Sequence, residues 1–142
     1  MKTYNIMPGL YISGEFHKLS RERKLEELKK RDIDTVVCLL RRSDPELENV
    51  EGLTYIQIPV PDARYVDVEA AWNAARQVAR AIRHGHKVLA HCIVGKNRSG
   101  LVAALTLIWL TGVSGRIAVA VVREGRPGAL TNPVFVKYLQ AL

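Results

Sequence analysis

Two cysteines, Cys38 and Cys92, are the only thiols in 142 residues, too few for the disulfide framework of a small secreted domain. His17, His84 and His86 show no metal-ligand spacing, so neither a metal nor a cofactor is expected. No apolar stretch reaches the roughly 18 uninterrupted residues that suggest a bilayer span. The Met1-Lys2-Thr3-Tyr4-Asn5 start also lacks the apolar segment of a signal peptide. A cytoplasmic protein without stable membrane insertion is therefore expected. Repeats, linkers and low-complexity segments are absent too. Acidic residues are scarce beside basic ones, 14 against 21, and the net charge of +7 favours anionic partners such as a phosphoprotein, phospholipid or RNA. What remains, 48% hydrophobic and 25% charged residues, suits one soluble domain over residues 1–142 that buries roughly two-thirds of its unfolded surface.

The chain is organised around Lys87 to Thr106, KVLAHCIVGKNRSGLVAALT. Val88 to Ala90 reads as a buried strand, and Leu101, Ala104, Leu105, Ile108 and Trp109 recur at helical spacing from a start near Ser99. The loop between, Cys92 to Arg98, can turn successive backbone N–H groups inward and add them to the positive end of the following helix, a cradle for a dianion. Arg98 offers a planar fork for two phosphate oxygens. Gly95 permits a close backbone approach or positive φ. A free thiol, with an ordinary pKa of about 8.5, needs hydrogen-bond donors to act as a thiolate at neutral pH. Ser99 is placed to supply one and to support the departing thiolate. His91 is expected to fix the loop from behind. A Walker A loop ending at Gly95-Lys96 fails, because it needs glycine at position 90 and Ser or Thr at 97, where the chain has Ala90 and Asn97.

Around this stretch, strands are expected at Leu10 to Ser13, Thr35 to Leu40 and Thr54 to Val60. Helices are expected from Ser20 to about Arg31, Val68 to Arg83, Ser114 to about Glu124, and from Asn132-Pro133 onward. The basic residues of the first helix read as a solvated face, with Leu25 and Leu28 inward. Phe135, Tyr138, Leu139 and Leu142 share one side of the last. The alternation implies an α/β single domain with a mainly parallel central sheet of four to five strands flanked by helices and the site at the strand carboxyl ends. Arg41, Arg42 and Arg64 lie on loops at the site edge, as solvated charge or as substrate contacts.

His91, Cys92, Gly95, Arg98, Ser99 and Gly100, with five residues between Cys92 and Arg98, resemble the signature of the cysteine-dependent protein tyrosine phosphatase superfamily. Pro8-Gly9-Leu10-Tyr11 and the Arg126-Pro127 to Asn132 segment resemble the small dual-specificity members, so the likeness runs along almost the whole chain. Low-molecular-weight tyrosine phosphatases carry their cysteine loop near the N-terminus, and rhodanese-like loops need not end in an Arg-Ser pair. The resemblance implies a phosphomonoester hydrolase with Cys92 as nucleophile, Arg98 and the loop residues His91, Ile93, Val94, Gly95, Lys96 and Asn97 around the phosphate, and a general acid about thirty residues upstream. Asp62 fits by position and by its IPVPD context; Asp67, the rival, directly precedes a helix and also reads as its N-cap. Cys38 is placed like the backup cysteine of the phosphoinositide phosphatase branch. Lys96 resembles a loop lysine of that branch, and Asn97 before Arg98 resembles the RNA 5′-phosphatases, although Ile93-Val94 stands where those typically carry Thr-His. The leading expectation is a broad-specificity phosphoprotein phosphatase that includes phosphotyrosine, with phosphoinositide or RNA phosphoesters as runner-up. A module that binds phosphate without turnover is the competing class.

Overall fold

Two short strands buried at every position, Thr35–Cys38 and Val88–His91, are the skeleton of the computed structural model, which describes residues 2–142. The strands are β1 (Thr3–Met7), β2 (Leu10–Ser13), β3 (Thr35–Cys38), β4 (Thr54–Gln57) and β5 (Val88–His91). The helices are α1 (Arg21–Lys30), α2 (Val68–Arg83), α3 (Arg98–Thr111), α4 (Gly115–Gly125) and α5 (Pro133–Gln140), with a 3₁₀ turn at Phe16–Lys18. The sheet order is β1-β2-β5-β3-β4, and only the β1–β2 pairing is antiparallel. This is a single small α/β domain with a mostly parallel five-stranded sheet.

Alternation along the strands divides the interior in two. Val37, Val88 and Ala90 face a large core built with α2, α3, α4 and α5, whereas Val36 and Leu89 face a smaller one with Phe16, Leu28, Ile33 and Leu47. Helix α3 is buried from Ser99 to Leu107, as an apolar-all-round helix must be. No helix among the described residues is long and apolar enough to cross a membrane.

Helix α2 has the expected bounds, and Ser20, Asp67, Ser114 and Asn132 all cap helices through their side chains. Several expectations need correction. Strand β1 was not anticipated; it is an edge strand in which only Ile6 is buried, so it lacks a hydrophobic signal. Strand β4 stops at Gln57 rather than Val60, because Pro59 has no N–H for the ladder. Strand β3 ends at Cys38, and α3 begins at Arg98, one residue early. Trp109 is 47% exposed at the margin of α3, edge-on to Trp72, and Leu142 lies past the end of α5, exposed.

The solvated face of α1 fails at Lys24, which is only 2% exposed. The segment after β3 folds over α1 and sets Asp44 Oδ2 2.8 Å and Glu46 Oε1 3.0 Å from Lys24 Nζ. Burial opposes the charge, yet the two carboxylates hold the ammonium above the ordinary lysine pKa.

His91, the last residue of β5, is fully buried, its ring centroid 5.2 Å from that of Phe16, with no hydrogen-bond partner at either ring nitrogen. Burial, followed by repulsion from His17, pushes its pKa down to about 4. The unfolded chain therefore takes up a proton near pH 6.5 that the native protein refuses, so this contribution to stability is complete above pH 6.5 and is lost as pH falls toward 4. The full gap corresponds to about 3 kcal/mol. In urea unfolding, His91→Phe should lose about 2 kcal/mol less stability than the parent between pH 6.5 and 4.5. Parallel pH profiles would remove this account of His91.

Candidate active site

The loop from Cys92 to Arg98 leaves the carboxyl end of the central strand and enters α3 at once. Its outer side is held by three donors from two other parts of the chain. The Glu15 N–H reaches the Ile93 carbonyl at 2.8 Å, Arg126 Nε the Gly95 carbonyl at 3.2 Å, and the Leu130 N–H the Lys96 carbonyl at 3.0 Å. Every peptide bond among the described residues is trans, so each N–H points opposite to the carbonyl preceding it. The N–H groups of Val94, Lys96 and Asn97 are thereby turned inward, and none has a protein partner among the described residues.

Two glycines make this approach possible. Gly95 has φ +76°, and a Cβ on it would lie 2.6 Å from Gly14 N. A Cβ on Gly14 would lie 2.2 Å from the Val94 carbonyl carbon. The loop and the end of β2 thus touch backbone to backbone.

At the base, Cys92 is 2% exposed. Its Sγ lies 2.9 Å from Ser99 Oγ and accepts from the Gly95 N–H at 3.3 Å. The hydroxyl and the N–H thus meet at the sulfur, where each can donate to it. The inward N–H groups and the first turn of α3, whose Asn97 N-cap position makes no capping bond, leave a concentration of free donors above the sulfur.

The Asn97 side chain is employed elsewhere. Its Oδ1 accepts from the Asn132 N–H at 2.8 Å, and its Nδ2 donates to Asp62 Oδ2 at 3.4 Å. Asn132 Nδ2 donates to Asp62 Oδ1 at 2.9 Å and to the Ala63 carbonyl at 2.9 Å, while its Oδ1 caps α5. Two asparagines therefore clamp the Asp62 carboxylate to the cysteine loop. Asp67 instead accepts from the Ala70 N–H at 3.1 Å as the N-cap of α2.

A family model described as the dual specificity phosphatase catalytic domain matches residues 16–142. The chain belongs to that family. Dual specificity protein phosphatase 1 of Arabidopsis thaliana is 30% identical over 138 residues, covering 96% of this chain and 67% of that protein. Dual specificity protein phosphatase 15 of Homo sapiens is 27% identical across 97% of this chain but only 45% of its own length. The chain thus spans about half the length of some curated relatives that it matches. Among solved structures, Tk-PTP in the active form superposes with a TM-score of 0.79 at 33% identity, covering 98% of this chain and 96% of that one.

In this phosphatase-family domain the loop residues divide by position. Ile93 and Val94 expose their side chains on the rim, and Lys96 and Arg98 are half-buried. The side chains of two expected loop residues are engaged away from the cradle. His91 lies behind the loop, fully buried at an inward position of β5 against Phe16. The Asn97 side chain braces Asp62 and the segment before α5, leaving its N–H to the cradle. Cys38 ends β3 opposite His91, one strand from Cys92; both thiols are free, and Cys38 Sγ donates to the Arg42 carbonyl at 3.7 Å. Burial pushes its pKa up. The bracing roles of Gly14, Glu15, Arg126 and Asn132 were missed. Each rests on a contact distant in sequence, and the only local signals were the Gly14 that closes the LYISG run and the Arg126 to Asn132 segment.

Gly14→Ala adds one methyl group against the Val94 backbone, and a displacement of about 1 Å at a reacting group can cost about a hundredfold in rate. Release of phosphate from an aryl phosphate should fall by about that factor while circular dichroism stays native-like. Full activity in a folded variant would show that the loop tolerates the shift.

Proposed function

We propose that this domain hydrolyses phosphomonoesters through a phosphocysteine at Cys92, with phosphotyrosine and other phosphorylated side chains of proteins as substrates. The observation that carries the reading is the sulfur under inward N–H groups, itself held by a hydroxyl and an N–H. The Cys92 thiolate attacks phosphorus in line, the P–O ester bond breaks, and its electron pair leaves with the oxygen, which takes the Asp62 proton. Arg98 and the loop N–H groups hold the equatorial oxygens as charge builds on them. Water then gives a proton to Asp62 and its oxygen to phosphorus. The P–S bond breaks, and Ser99 and the Gly95 N–H receive the returning thiolate. The sequence needs no cofactor.

A thiolate nucleophile requires a reducing compartment, which favours the cytoplasm. Cys38, one strand away, is proposed as a resolving thiol for oxidised Cys92. The exposed residues Ile93 and Val94 support an aryl leaving group.

Cys92→Ser should abolish phosphate release from p-nitrophenyl phosphate while retaining affinity for inorganic phosphate. Asp62→Asn should slow substrates with poor leaving groups by roughly a hundredfold or more, and far less those whose leaving group needs no proton. If wild-type protein binds phosphate yet releases none from any aryl ester, the domain is a phosphate-binding module and the catalytic reading fails.

A further inference from the structure

Beside the phosphate cradle lies a separate cavity of about 460 Å³. Arg98 and Ile93 close one end of it, Cys38 and Leu40 contribute from β3 and its extension, and the segment from Arg41 to Glu46 forms the opposite wall. Cys92 and Asp62 do not line it. Arg98 is thus shared between this cavity and the phosphate cradle.

The wall is a built structure. The buried Lys24 ammonium joins Asp44 and Glu46, the Asp44 N–H donates to Tyr55 Oη at 2.7 Å, and Gln57 Nε2 donates to the Leu40 carbonyl at 3.0 Å. Ser43 bonds Glu48, and Leu47 is fully buried beneath the segment. Desolvating a lysine is costly, and here the charge is spent on holding this segment against α1.

The charges on the wall divide cleanly. Asp44 and Glu46 are committed to Lys24. Arg41 and Arg42 line the cavity, are exposed, and make no ion pair or side-chain hydrogen bond among the described residues. Burial, the largest influence on His17, lowers its pKa, so that ring adds little positive charge at neutral pH. Two uncommitted guanidinium groups thus stand on a fixed wall facing Arg98. Leu40, Pro45 and Ile93 provide apolar surface between them.

We propose that this cavity is a recognition subsite for a second anionic group in a phosphopeptide, a carboxylate or second phosphate flanking the residue being dephosphorylated, received by Arg41 and Arg42. Guanidinium forks match either anion, and a cavity of this size accommodates a side chain next to the scissile phosphoresidue. The inference rests on the phosphatase reading above and adds substrate selection to it.

The test compares kcat/KM for phosphotyrosine peptides with alanine flanks, with glutamate flanks, and with a second phosphate two residues away. The proteins are the wild type, an Arg41→Gln/Arg42→Gln double variant, and an Arg83→Gln/Arg116→Gln double variant that removes the same charge at exposed positions remote from the cavity. Wild type should favour the glutamate peptide over the alanine peptide by about tenfold, and the doubly phosphorylated peptide by more. The Arg41/Arg42 variant should bring both ratios to within about twofold of one, and the remote variant should keep them. Equal ratios in wild type, or loss of preference to the same degree in both variants, would overturn the subsite and leave general net charge as the cause. A larger loss on a soluble phosphoinositide than on the acidic peptides would reassign the cavity to lipid headgroups and overturn the proposal as stated. Turnover of p-nitrophenyl phosphate by wild type separates these outcomes from failure of the catalytic reading, which would abolish hydrolysis of every substrate.

Discussion

The constraint on which this site depends is the outward tethering of three carbonyl groups. A backbone loop collects inward N–H groups only if its oxygens are occupied elsewhere, since an unpaired buried carbonyl is nearly as costly as a lost hydrogen bond. Here Glu15, Arg126 and Leu130 occupy the oxygens of Ile93, Gly95 and Lys96. These donors come from the turn after β2 and from the segment between α4 and α5, so distant parts of the chain cooperate to orient one short loop. The closeness of Gly14 and Gly95 follows from the same need, because the Glu15 N–H reaches its target only when the two backbones are in contact.

Other features can be read as consequences. Asparagine is a good helix cap, and at Asn97 a capping side chain would cover the α3 donors. Its engagement with Asn132 and Asp62 leaves those donors open and joins the carboxylate to the loop in one device. His91 supports the strand end by packing, at the expense of two unpartnered ring nitrogens and a neutral ring. Sulfur, hydroxyl and N–H meet at the base because Ser99 lies in the first turn of the helix that the loop enters.

Much of this was legible in the sequence wherever the determinant was local. The strand–loop–helix order around Cys92, the bounds of α2 and the caps at Ser20, Asp67, Ser114 and Asn132 depend on neighbouring residues. What was not legible depends on contacts across the fold. Lys24 looked solvated because nothing near it in sequence reveals that Asp44 and Glu46 fold over it. The bracing role of the Asn97 side chain was hidden because its partners lie more than thirty residues away. Strand β1 exists through its pairing with β2 and carries little apolar signal of its own. Asp67 read as an N-cap from its place before a helix, and its carboxylate accepts from the Ala70 N–H in that role.

The amide resonances of the loop provide the most direct test of the central claim. Inorganic phosphate titrated into 15N-labelled wild-type protein should shift the N–H signals of Val94, Lys96 and Asn97 downfield together, along one saturating curve, as these groups donate to the bound dianion. If those three signals stay in place while phosphate binds, the inward N–H groups are not the cradle, and the account of the site is contradicted.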